Sequence, residues 1–123
     1  MKIGLALSGG GCRAIGYHLG VLARLADSDL LEEVDTLSTV SGGSMIAALM
    51  YMTSNGRWPD SKHFRRYIVP YTRRLLTTFD FNATYLRTVF STPTSLLRSR
   101  AHFFAQILAD HWGITGSLQD LPD

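Results

Sequence analysis

The sequence predicts an α/β domain built on a parallel sheet, and three observations support that fold class. Two short apolar runs each lead into a glycine-rich turn, and each turn opens an apolar, helix-like segment. The resulting order of strand, helix, strand and helix favours a crossover connection and therefore parallel strands. The 123 residues have the composition of a globular protein, with 46% hydrophobic and 18% charged residues, which excludes a disordered chain.

The first predicted strand covers residues 3–8. This run is mostly apolar and lacks clean alternation, which predicts a parallel strand covered on both faces. The first helix is predicted from residue 13 to about residue 26, because Ile15, Leu19 and Leu22 recur on one stripe. Strand and helix are separated only by the first glycine-rich turn.

The second predicted strand covers residues 36–40, and the second helix runs from residue 42 to about residue 54. Asn55-Gly56 then gives the pattern typical of a helix C-terminus. Parallel strands end at one edge of a sheet, so the two glycine-rich turns are expected side by side.

The remainder of the chain, residues 57–123, is predicted to be mainly helical and basic. Helices are expected over residues 62–90, with interruptions near Pro70 and around residues 80–82, and in a last segment that ends near Trp112. No third strand is evident, and two strands make a poor parallel sheet. We therefore expect residues 1–56, a β-α-β-α unit, and residues 57–123 to form the N-terminal portion of a larger domain.

Charge and cysteine content narrow the classes of partner. Residues 57–100 contain nine basic and two acidic residues, a net charge of +7, within a chain whose net charge is +2. Such a stretch suits phosphate headgroups or nucleic acid, or it is a solvated helical face.

Cys12 is the single cysteine, which excludes an internal disulfide. No metal-ligand spacing, signal peptide or transmembrane run is evident, so a cytoplasmic or peripherally membrane-bound protein without cofactor is expected.

The first turn contains Gly9, Gly10 and Gly11, followed by Arg13. Successive glycines at a strand-to-helix turn can direct backbone N–H groups at an anion, and the helix dipole adds positive potential. An oxyanion hole for ester hydrolysis needs these groups. The same turn also satisfies G-x-G-x-x-A, with Ala14 as its last residue, so a phosphate- or nucleotide-binding module is the alternative.

The second turn places Ser41 between a strand and a helix, followed by Gly42 and Gly43. This is the order of a nucleophile elbow, in which a sharp turn exposes a serine and needs tiny neighbours. Thr39 stands where the usual pattern has glycine, and it is expected to crowd the turn. Ser44 is interpreted as a residue of the first helical turn. In the alternative, Ser41 merely caps the helix.

Three segments together resemble bacterial patatin-like phospholipases: residues 8–14, 16–22 and 38–44. The resemblance implies a serine lipid acyl hydrolase that uses a Ser–Asp dyad and no catalytic histidine or cofactor. It assigns the nucleophile to Ser41. It assigns the oxyanion hole to Gly9, Gly10 and Gly11. The supporting residues are Arg13, Gly42 and Gly43.

Departures from the family pattern qualify this expectation. Ala14 and Thr39 replace glycines, and no Asp-Gly pair, the family's motif for the catalytic aspartate, occurs in the sequence. We therefore expect a chain truncated before the aspartate and inactive alone. The expected partners are a lipid or phospholipid substrate and the surface of an anionic membrane, with no nucleic acid; the oligomeric state stays open.

Overall fold

A computed structural model describes residues 1–80, 83, 84, 87, 91 and 100–116. The elements of this part of the chain, in order, are β1 (Ile3–Leu7), α1 (Gly11–Asp27), a 3-10 turn (Leu31–Glu33), β2 (Val34–Thr39), α2 (Gly42–Thr53), α3 (Ser61–His63), a π-helical turn (Phe64–Ile68), α4 (Val69–Thr78) and α5 (Arg100–Trp112). The predicted β-α-β-α order is confirmed.

The two strands pair in parallel, as predicted from the element order. Leu5 lies opposite Leu37, and Leu7 lies opposite Thr39 at the end of the ladder. The prediction that β1 is covered on both faces is wrong for the described residues, because Gly4 and Ala6 are exposed. The covered side of β1 carries Ile3 and Leu5, which are half-buried, and Leu7, which is buried.

The first helix begins earlier than predicted, at Gly11, because the glycines themselves turn the chain into it. Its predicted stripe is buried, with Ile15 and Leu22 completely inaccessible. The second helix ends at Thr53, and Asn55 and Gly56 follow with φ of 55° and 75°. Both lie in the left-handed region, so the C-terminal signal in the sequence is confirmed.

A helical rod of three successive elements, residues 61–78, covers the core. Asp60 begins it by accepting a hydrogen bond from the His63 N–H at 2.7 Å. Phe64 and Ile68 of the π-helical turn are fully buried. At Pro70 the predicted interruption is only a change of helix type: the π-helical turn ends at Ile68, α4 begins at Val69, and the rod continues through Pro70.

The helical rod runs antiparallel to α1. Near its beginning, Arg65 donates a hydrogen bond to the Ala26 carbonyl at the end of α1. Near its other end, Leu76 lies 3.9 Å from the position that a Cβ on Gly16 would occupy. The late residues of α4 therefore lie beside the half of α1 that follows the first glycine-rich turn.

The last described helix completes the core. Trp112 at its end is 2% exposed, and its ring meets that of Phe79 edge-on at a centroid distance of 6.5 Å. Ile107 is also buried. This helix ends at Trp112, as predicted, whereas most of residues 81–99 lie outside the described residues.

Candidate active site

Both glycine-rich turns lie at the same edge of the sheet. The strand ladder ends at the pair Leu7 and Thr39, and the Val40 N–H donates to the Leu7 carbonyl at 3.0 Å. A methyl group built on Gly9 would lie only 3.2 Å from the Cβ of Ser41. The predicted neighbourhood of the two turns is thus confirmed.

Ser41 occupies a strained turn. Its φ and ψ are 51° and −115°, and the Gly43 N–H donates to the Val40 carbonyl at 2.9 Å. These values are those of the first central residue of a type II′ turn, a position that favours glycine. A serine held there costs on the order of 1–3 kcal/mol, and such strain concentrates at functional sites.

The hydroxyl of Ser41 is not used to cap α2. Ser41 stands at the N-cap position, but its side chain accepts no capping hydrogen bond, and the residue is exposed. Within the described residues, its hydroxyl has no hydrogen-bond partner. The side chain is therefore free to meet a ligand.

Gly42 and Gly43 are required by close packing. A Cβ on Gly42 would overlap the Gly11 carbonyl oxygen and lie 3.0 Å from the Ala14 Cβ. A Cβ on Gly43 would overlap the Leu7 carbonyl, with its carbon at 2.6 Å. Both glycines thus let α2 start directly against β1 and against the first turn.

Thr39 does not obstruct the turn. Its hydroxyl oxygen lies 2.9 Å from that of Ser44, at hydrogen-bond distance. Ser44 is the third residue of α2, as predicted. The Ser44 hydroxyl, the alternative to that of Ser41, is therefore occupied by this contact. The same contact accommodates Thr39 at the position where the usual elbow has glycine.

The first turn offers free backbone donors. Gly10 and Gly11 have φ of 141° and 61°, conformations that L side chains rarely adopt. In the described part of the chain, the N–H groups of Gly9, Gly10 and Gly11 have no hydrogen-bond partner. They precede the positive end of the α1 dipole, so this turn can bind a negatively charged oxygen.

His18 supports the first turn, a role that the sequence did not reveal. The residue is 4% exposed, and its Nε2–H donates to the Ser8 carbonyl at 2.9 Å. This bond ties the corner that leads into the glycines to α1. The available signal was the position of His18 beside Leu19 on the buried stripe of α1.

The remaining polar residues near the first turn do not supply a second nucleophile. Burial raises the pKa of the Cys12 thiol above its ordinary 9.0, and the negative charge of Asp80 raises it further. The thiol is therefore protonated at neutral pH and weakly nucleophilic.

Arg13 is exposed and makes no ion pair within the described residues, so its charge is available to an anion.

The described residues contain neither a candidate metal cluster nor a candidate membrane span. No cluster of three or more histidine, cysteine, aspartate or glutamate side chains suitable for a metal ion occurs among them. In the same part of the chain, every helix is too short or too polar to traverse a bilayer.

Comparison with known proteins identifies the family. No curated protein and no solved structure matches the chain significantly. The family model described as patatin-like phospholipase matches residues 5–108, a range that contains both glycine-rich turns and most of the helical segment. Members of that family are lipid hydrolases. The chain therefore belongs to the patatin-like phospholipase family.

Proposed function

We propose that this protein is a serine lipid acyl hydrolase that cleaves carboxylic esters of lipids, with Ser41 as nucleophile and Gly9, Gly10 and Gly11 as the oxyanion hole. One observation carries the proposal: an exposed serine on a strained turn lies beside a loop of N–H groups, and neither its hydroxyl nor these N–H groups have a partner among the described residues. Membership in the family supplies the substrate class.

The proposed first step is acylation of the serine. The Oγ of Ser41 attacks the ester carbonyl carbon and gives up its proton to a base. The carbonyl oxygen becomes an oxyanion, which N–H groups of the glycine turn stabilise. One such donor is typically worth about 3–4 kcal/mol of barrier. Collapse expels the alcohol, and water then hydrolyses the acyl-enzyme.

Arg13 is proposed to hold an anionic headgroup near this turn, because its charge is exposed and unpaired within the described residues. Gly42 and Gly43 are proposed to support catalysis indirectly. Their close contacts with Gly11 and Leu7 fix the distance between nucleophile and oxyanion hole.

We propose that the base is the aspartate of a Ser–Asp dyad located outside residues 1–123. The sequence has no Asp-Gly pair, and no described residue hydrogen-bonds to the Ser41 hydroxyl. Residues 1–56 then provide the nucleophile and oxyanion hole of the domain, and residues 57–123 a mainly helical cover. We also propose that peripheral contact with an anionic membrane brings the site to its substrate.

A phosphate- or nucleotide-binding module is the second candidate, favoured by the same free N–H groups of the first turn. Two features support it less well than they support hydrolysis. An anion-binding loop has no use for the strained turn at Ser41, whose side chain does not cap α2. The end of β2 carries that serine instead of the acid that would hold a ribose.

The test is active-site labelling with a fluorophosphonate, compared between the wild-type chain and two alanine variants. Ser41→Ala is expected to abolish labelling. Ser44→Ala is the matched control, because its hydroxyl is three residues away and lies at hydrogen-bond distance from that of Thr39. Labelling of the control is expected at the wild-type rate. Equal labelling of wild type and Ser41→Ala with imidazole present, which supplies a base, would refute the assignment of the nucleophile.

Ester hydrolysis tests the assignment of the base. General-base assistance is worth about 10²–10⁴-fold, so the 123-residue chain alone is expected to turn over esters poorly. Added imidazole should accelerate labelling of Ser41 by replacing the missing base. Robust turnover without it, abolished by Ser41→Ala, would place a base within the chain. Stabilisation by a nucleotide but no labelling would favour the binding module.

A further inference from the structure

The exposed side of the helical rod combines arginine and tyrosine. Arg66 and Tyr67 lie in the π-helical turn, and Pro70, Tyr71 and Arg74 lie in α4. All five are exposed, and the two tyrosines are 53% and 39% accessible. We call these residues the arginine–tyrosine face.

The charges of this face have no acidic partner in the part of the chain that the structure describes. No carboxylate of the described residues pairs with Arg66 or Arg74, whereas Arg65 is bound to the end of α1 through Ala26 and Asp29. Arg65 is therefore structural and lies outside the face. The guanidinium of Arg66 stands over the ring of Tyr67, with Cζ 5.5 Å from the ring centroid.

The face is not explained by packing of the core. The rod buries a different stripe, which consists of Phe64, Ile68 and Thr72, each fully inaccessible. An exposed tyrosine pair flanked by unpaired arginines presents apolar rings together with positive charge. This combination is typical of segments that lie at a lipid–water interface.

The rod that carries the face runs towards the end of α1 that follows the glycine turn. Leu76, two residues beyond the face, lies 3.9 Å from the position that a Cβ on Gly16 of α1 would occupy. The last residues of the rod are therefore near the first half of α1.

We propose that the arginine–tyrosine face binds the surface of an anionic phospholipid membrane. The choice of lipid over other polyanions rests on the proposed hydrolysis of lipid esters, and the positive charge supplies the complementarity. The arginines contact headgroup phosphates, and the tyrosine rings insert among the headgroups. Binding is expected to weaken with salt, since exposed charges are screened beyond about 10 Å at 0.1 M ionic strength.

The test is cosedimentation of the 123-residue chain with vesicles of phosphatidylcholine alone or mixed with phosphatidylserine. The Arg66→Gln/Arg74→Gln variant is expected to bind mixed vesicles about 25-fold more weakly, the product of about fivefold for each basic residue beside anionic lipid. Arg24→Gln/Arg57→Gln removes the same charge from exposed positions on other elements and should bind like wild type. Equal binding by the two double variants at low salt would overturn the proposal.

Further variants distinguish a failure of the proposed membrane binding from a failure of the proposed hydrolase function. Arg66→Lys/Arg74→Lys retains the charge and should retain binding, and circular dichroism checks that all variants fold. The Ser41→Ala background gives the same binding result, so a failure of labelling at Ser41 leaves this measurement intact. Tighter binding to a DNA duplex than to mixed vesicles, lost in the Arg66→Gln/Arg74→Gln variant, would overturn the assignment to lipid.

Discussion

Replacing Gly43 by alanine tests how the serine turn is positioned. The new Cβ would overlap the Leu7 carbonyl oxygen and lie 2.6 Å from its carbon, and ordinary contact begins at 3.4 Å, so the start of α2 must move by at least about 0.8 Å. Leu7 cannot yield easily, because it is 2% exposed and its carbonyl accepts the Val40 N–H. Overpacking of this kind costs about 1–3 kcal/mol. A cost of about 2 kcal/mol lowers Tm by about 8 °C in a chain of this size.

Thermal unfolding and the rate of fluorophosphonate labelling measure the two consequences of Gly43→Ala. Labelling should slow by about 100-fold, since a displacement near 1 Å can cost that much. Gly20→Ala is the matched control: it lies within α1 with nothing within 4 Å of its Cβ position, and it should raise stability by about 1 kcal/mol. A Gly43→Ala variant with wild-type Tm and labelling rate would refute the packing argument.

Three other variants test separate features. The free energy of unfolding of Ser41→Gly should be about 1 kcal/mol higher than that of Ser41→Ala, because only glycine relieves the strained φ of 51°. Equal denaturant midpoints of the two variants would show that the turn is not strained. His18→Phe removes the donor to the Ser8 carbonyl and should cost about 1–2 kcal/mol and slow labelling, and an unchanged labelling rate would reject its positioning role. Burial alone would raise the pKa of Glu32, but hydrogen bonds from the Ser61 hydroxyl and N–H lower it below 4.5. A lowered pKa in the folded state stabilises above pH 4.5, and that contribution is lost as the pH falls through the folded pKa. Ser61→Ala should therefore destabilise most above pH 4.5, and a penalty that grows in acid would contradict this.

The order and location of the first four elements could be predicted because local patterns agree with the tertiary structure. The apolar stripe of α1 is the buried stripe, and the Asn55-Gly56 pair ends α2 where expected. Element starts were less predictable. The first helix begins at Gly11 instead of residue 13, because backbone conformations open to glycine are invisible to propensity arguments.

The site was predictable in position but not in its supporting contacts. Proximity of the glycines to Ser41 follows from parallel strands, whereas the link from His18 to Ser8 depends on a long-range orientation of the ring. The sequence also left open whether the aromatic residues of the basic segment are buried. The structure divides them, because Phe64 enters the core while Tyr67 stays outside. Only the packing of the rod against α1 and α2 decides which side of the rod is buried and which is exposed.

The π-helical turn at Phe64–Ile68 has a consequence for comparisons among relatives. The Val69 N–H reaches back five residues to the Phe64 carbonyl, so this turn holds one residue more than a regular helix needs. Loss of one residue here would preserve a helix but rotate everything after it by about 100°. Tyr71 would then leave its side of the rod. A homologue with an uninterrupted α-helix should align with a single-residue gap in this turn and display a different set of side chains beyond it.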